Sequence, residues 1–176
     1  MNERQEGITA LELLVTMTIA TILLATGVPA IKDYGWNLRM KTAMDMLQTD
    51  LKLARGRAIS HNTQTVVCPS PDASDCSGQS NWQEGWIVFT DINADRSRQE
   101  GEQLLKRSNA VELLQISTSR SRSSIRFHPN GSAPGSNLSI EFCDKRGAEH
   151  AGKIVVSNTG RIRSEKKAGK TTAKCP

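Results

Sequence analysis

Aromatic side chains are scarce. Three Trp, one Tyr and three Phe make up 4% of 176 residues. The core of any folded domain here therefore has to rest on Val, Ile and Leu, and stacking on unpaired bases has few residues to serve it. Cys-x-x-Cys spacing does not occur, which removes the commonest zinc arrangement. Gly-x-Ser-x-Gly is missing too, and the three histidines, His61, His128 and His150, stand apart without paired acids. With no nucleophile–base pair to be found, we read the chain as a non-enzyme with no catalytic residue, no metal and no cofactor. There is no internal repeat and no second long apolar run; everything after residue 32 is far more polar than what precedes it.

What is present begins with that single apolar run, ITALELLVTMTIATILLATGVPAI, residues 8–31, behind a polar leader, MNERQEG, residues 1–7. A helix crosses a bilayer core with about 20 apolar residues, and this run is long enough. One charge interrupts it, Glu12. A carboxylate at that depth costs on the order of 3 kcal/mol, which marks it as a functional candidate. A secretory signal peptide would place its small-residue cleavage site after the apolar run, and no such exit is evident. The arrangement of Gly7, Ile8 and Glu12 instead resembles the class III leader of type IV prepilins. That resemblance implies cleavage after Gly7 by a prepilin peptidase, methylation of the new N-terminal Ile8, and an assembly role for Glu12, which would meet the N-terminal amine of a neighbouring pilin subunit. Two opposite charges neutralise one another in a helix bundle where each alone is expensive. Pro29 suits the same pattern, removing one backbone donor inside the helix. The leader departs from it in carrying Arg4 against Glu3 and Glu6, where such leaders are usually basic.

Residues 32–61 continue as an amphipathic helix. Met40, Met44, Leu47, Leu51, Ala54 and Ala58 step by three and four into one apolar stripe, while Lys41, Lys52 and Arg55 point elsewhere. A break is expected at His61-Asn62. Beyond it the chain reads as short strands: 65–68, 86–90, 102–107, 111–116, 124–127, 138–141 and 153–156. The expected class is α+β, one long helix packed on antiparallel sheets, with a β-rich head over residues 62–163 and a basic, exposed tail over 164–176. Cys68, Cys76, Cys143 and Cys175 allow three connectivities. In an oxidising exported setting the favoured one joins Cys68 to Cys76 across a short loop and Cys143 to Cys175, stapling the tail.

The order Cys-Pro-Ser, Cys76, Trp82, GWIVFTDIN, IRFHPNGSAPG, LSIEFCD and VVSNTGRIR resembles the FimT/GspH family of minor pilins and type II secretion pseudopilins, over residues 7–163. The resemblance implies a pilin-like fold, assembly with other pilin subunits, and residence in a bacterial inner membrane with the head in the periplasm, then at the cell surface.

Net charge is unevenly spread. Residues 144–176 hold nine Lys and Arg against three Asp and Glu, while the rest of the chain is nearly balanced. Within that fifth lies Gly160-Arg161-Ile162-Arg163. Strand alternation puts Arg161 and Arg163 on one side, about 7 Å apart, close to the spacing of successive phosphates. Lys166, Lys167, Lys170 and Lys174 extend the positive field. In the FimT branch a GRxR motif is associated with DNA binding during natural transformation, and the resemblance implies the same for Gly160, Arg161 and Arg163. Such binding would be to the phosphate backbone and independent of sequence. The competing reading is a structural pseudopilin of the GspH kind with no nucleic-acid role. Arg120, Arg122 and Arg126 form a second basic cluster that reads as a solvated loop. Asp91, Asn93, Asp95 and Glu102 partly imitate a calcium loop, but Arg96 stands where Gly is wanted, and a charged hairpin turn is the better reading.

Overall fold

The computed structural model describes residues 9–118, 122–166 and Cys175. The chain divides into two compact units between Arg39 and Met40. One helix, α1 (Ala10–His61), supplies elements to both.

In the first unit, Thr9 caps the helix: its Oγ1 accepts the Glu12 amide at 3.3 Å. Thr-x-x-Glu is the sequence pattern of a capping box, and Glu12 sits in the first turn, where the helix dipole favours a negative charge. The cap is a local reason for a carboxylate at position 12. The hydroxyls of Thr16, Thr18, Thr21 and Thr26 donate to carbonyls three or four residues back, so four polar side chains are satisfied within the helix. Leu11, Leu14, Ile22, Leu23, Leu24 and Ile31 are all exposed. The segment is long and apolar enough to cross a membrane. Helical structure runs through Pro29, and Arg39 stacks over Trp36 at 5.1 Å.

In the second unit, the helix buries Met40, Ala43, Met44, Leu47, Asp50, Leu51, Ala54 and Ala58. This is the stripe that the periodicity predicts, with Ala43 and one carboxylate, Asp50, added. Asp50 Oδ2 accepts the Trp86 indole N–H at 2.8 Å and the Ser108 hydroxyl at 2.7 Å, so a buried acid is hydrogen-bonded to two strands. Asn62 adopts φ 50° and ends the helix.

Eight strands follow: β1 (Gln64–Pro69), β2 (Trp86–Asp91), β3 (Leu104–Ser108), β4 (Gln115–Ser117), β5 (Ile125–Phe127), β6 (Leu138–Cys143), β7 (Gly152–Val156) and β8 (Ile162–Lys166). They form two four-stranded antiparallel sheets, ordered β3-β2-β1-β5 and β4-β6-β7-β8. The two sheets differ in how they are covered. Strands β1 and β2 are buried along nearly their whole length. The α1 stripe packs with Val67, Trp86 and Val88, while Val66, Cys68, Ile87 and Phe89 form a second cluster that Ala73 and Cys76 cover. The Cys68–Cys76 disulfide holds that covering loop. Strands β6 and β7 instead alternate, Leu138, Ile140, Phe142, Ile154 and Val156 inward, Ser139, Glu141, Lys153 and Val155 outward. One face of the second sheet is thus open to solvent.

Three expectations need correction. Residues 111–114 are not strand: Leu113 takes φ 64° and is exposed, and the Val111 amide donates to Gln83 O. Only Gln115–Ser117 pairs, with β6. The strand expected from Glu102 starts at Leu104, because the Glu102 carboxylate accepts the Ile92 and Gln99 amides and closes the turn between β2 and β3. The tail does not begin at 164: Ser164, Glu165 and Lys166 pair with Ile154, Lys153 and Gly152, and Lys153 bridges Glu165 at 3.0 Å.

A candidate anion-binding corner

Strands β7 and β8 are joined by Ser157-Asn158-Thr159-Gly160-Arg161. The Gly160 amide donates to Ser157 O at 2.8 Å, the Ser157 amide to Arg161 O at 3.0 Å, and the Arg161 amide to Ser157 Oγ at 3.2 Å. Gly160 has φ 76°, a conformation in which a side chain is strained. A second constraint acts at the same residue. A Cβ on Gly160 would lie 1.9 Å from the Gly131 carbonyl oxygen. Gly131 in turn has φ 77°, and a Cβ there would lie 2.8 Å from Ile59 Cδ1. Two glycines therefore meet backbone to backbone against α1. Arg55 fixes the meeting point by donating its Nε–H to Gly131 O at 3.0 Å, and the Ala133 amide donates to Asn158 O at 2.9 Å.

This corner presents the motif. Ile162 turns toward the core and packs on it, while Arg161 and Arg163 are exposed on either side. Although β8 starts at Ile162, the Ser157–Arg161 bond adds one rung to the ladder, so the alternation reaches Arg161. Neither Arg forms an ion pair among the described residues. On the loop leading to Gly131, burial, then the nearby Arg126 and Arg96, hold the His128 imidazole below its ordinary range. Lys166 pairs through its backbone with Gly152. Lys167, Lys170 and Lys174 lie outside the described residues, as do Arg120, Gly7 and Ile8. Cys175 is bonded to Cys143 at the end of β6, with 5.4 Å between the Cα atoms.

The other candidate groups stand apart from the corner. Arg122 donates to the carbonyls of Gly135 and Asn137 at 2.7 and 3.0 Å, and Arg126 reaches Ala94 O at 3.5 Å. Both brace loops of their own chain. Asp91, Asn93, Asp95 and Glu102 each accept at least one backbone amide of the same turn, and no group of three His, Cys, Asp or Glu suited to a metal occurs among the described residues. Beside Cys143, Asp144 is pushed up by burial but held below its usual range overall by the Arg146 hydrogen bonds and charge. Sequence reasoning missed Arg55, because a charged residue opposite the apolar stripe reads as solvated. Its only signal is its place three residues after Lys52 on one helix face.

The sequence model of the family described as type II transport protein GspH matches residues 43–160. The chain belongs to the GspH family. Solved structures agree on the fold. FimU, a type IV minor pilin of Pseudomonas aeruginosa, superposes with a TM-score of 0.62 at 18% identity, over 81% of this chain and 99% of that one. EpsH, a minor pseudopilin of the type 2 secretion system of Vibrio cholerae, gives 0.52 at 11%, over 73% and 97%. No curated protein matches in sequence. This GspH-family protein is thus a minor pilin or pseudopilin of the FimT/GspH type, with one long helix and two antiparallel sheets. The family span ends at Gly160, so Arg161 and Arg163 lie past it and their role has to be argued from the corner itself.

Gly160→Ala should therefore destabilise the head by more than about 1 kcal/mol, since strain and the Gly131 contact act together. Denaturant unfolding followed by Trp fluorescence would read this. An unchanged midpoint would mean that the turn does not depend on the contact.

Proposed function

We propose that this protein is a minor type IV pilin whose head binds extracellular DNA through Arg161 and Arg163 for uptake in natural transformation. The observation that carries the reading is the glycine-built turn that holds two exposed guanidinium groups out on an edge strand. Guanidinium groups match phosphate oxygens with paired N–H donors. No aromatic side chain lies at the motif, so recognition is of backbone charge, without sequence preference. Weak binding per subunit suffices if several subunits engage one long polymer. Retraction of the filament, driven by other proteins, would then draw DNA to the cell.

Assembly follows the helix. Cleavage after Gly7 by the prepilin peptidase leaves Ile8 at the N-terminus, α1 anchors the subunit in the inner membrane, and Glu12 pairs with a neighbouring subunit's amine in the filament. The capping geometry at Thr9 supports a helix that starts immediately after the cleavage point. The mature protein should carry an N-terminal Ile8, methylated, by intact mass; a chain still beginning at Met1 in the assembled filament would contradict this.

Two phosphate contacts make a specific forecast for salt. Each contact to duplex DNA contributes about 0.9 to the slope of log affinity against log salt. The Arg161→Gln/Arg163→Gln variant should lose most of its affinity at low salt and show a slope smaller by about 1.8 in fluorescence anisotropy. Equal binding by variant and wild type would remove the site. No binding by wild type at low salt would favour the structural pseudopilin reading.

A further inference from the structure

Next to Arg161 lies a groove of about 320 Å³, lined by Lys52, Arg55, Gly56 and Ile59 of α1 and by Arg161 and Ile162. Its size is at the low end for small-ligand sites, which run from about 300 Å³ upward. Three of its six lining residues are cationic and none is acidic. Like charges gathered around one cleft repel each other and create a positive potential that an anion relieves. One of the three is also held still: Arg55 spends its Nε–H on Gly131 O, which leaves its four Nη hydrogens available.

Gly56 is the second and independent observation. Lys52, Arg55, Gly56 and Ile59 recur at the i, i+3, i+4, i+7 spacing of one helix face. A glycine inside a helix costs about 1 kcal/mol relative to Ala. Elsewhere at this corner glycine is forced by positive φ or by a close backbone. At position 56 neither applies: no positive φ occurs, and a Cβ would meet nothing within 4 Å. Packing among the described residues gives no reason for the smaller residue. What a larger side chain at 56 would occupy is the groove.

We propose that this groove is a further phosphate seat, in which Lys52 and Arg55 of α1 hold a DNA phosphate beside Arg161 and Gly56 keeps the space open for it. The inference rests on the DNA-binding reading of Arg161 and Arg163 and extends it from the edge strand to the helix. The backbone of the bound strand then runs from Arg163 past Arg161 onto α1, and the footprint is a corner of the head made from two elements distant in sequence.

The test uses the full chain in detergent micelles with a short labelled duplex, read by anisotropy across a salt series. Gly56→Leu changes no charge, so a general loss of positive field cannot explain any effect it has. It should melt at the same temperature as wild type or higher, bind DNA about threefold to fivefold more weakly, and lower the salt slope by about 0.9. Lys52→Gln, at an exposed position, should weaken binding to a similar extent without altering melting. If Lys52→Gln weakens binding and a folded Gly56→Leu does not, the helix acts only through its field and the seat is overturned. If both bind like wild type while Arg161→Gln/Arg163→Gln does not, the seat is overturned and the reading of the motif stands. If the double Arg variant also binds like wild type, that reading fails and takes the groove with it.

Discussion

The contact between Gly160 and the Gly131 carbonyl is the constraint from which the Arg161–Arg163 corner of the head is built. It fixes how the β7–β8 turn approaches the loop after β5, and Arg55 locks both to the helix. Because the approach leaves no room for a Cβ, the turn cannot relax outward without losing it. The exposed Arg residues consequently leave a rigid base rather than a loop, and their spacing is set by strand geometry. A preorganised pair gives up less conformational freedom on binding than two side chains on a flexible tail. The corner also explains why Gly stands at position 160: a Cβ there has no room beside the Gly131 carbonyl.

The same helix serves two environments. Its first unit exposes apolar side chains, satisfies Thr16, Thr18, Thr21 and Thr26 internally, and opens on a capped turn containing Glu12. Its second unit covers the inner faces of two sheets and carries Asp50 into the core, where Trp86 and Ser108 satisfy it. The GspH family model covers only the second of these units, over residues 43–160. The family match stops at Gly160, so it accounts for the turn and not for what the turn presents.

Much of this was legible in the residues. The three- and four-step pattern from Met40 to Ala58 predicts the buried stripe because helical burial leaves a periodic record. Strand β2 is legible from its continuous apolar run, which reflects burial on both faces. The strand expected at 111–116 begins only at Gln115, because apolar Val111 and Leu113 precede it in irregular backbone, where hydrophobicity says nothing about φ. The early start assigned to the tail failed because Ser164-Glu165-Lys166 is polar yet pairs through its backbone. At the site, Arg161 and Arg163 could be chosen by spacing, whereas Arg55 and Lys52 could not. Their relevance comes from a tertiary approach between residues some hundred positions apart, and local pattern carries no record of it.

The most direct measurement is hydrogen exchange on the full chain with and without DNA. Exchange should slow in two separated segments, 157–163 and the helix around residues 52–59, with the turn between β2 and β3 unchanged. Protection confined to that turn, or spread evenly over the head, would contradict it.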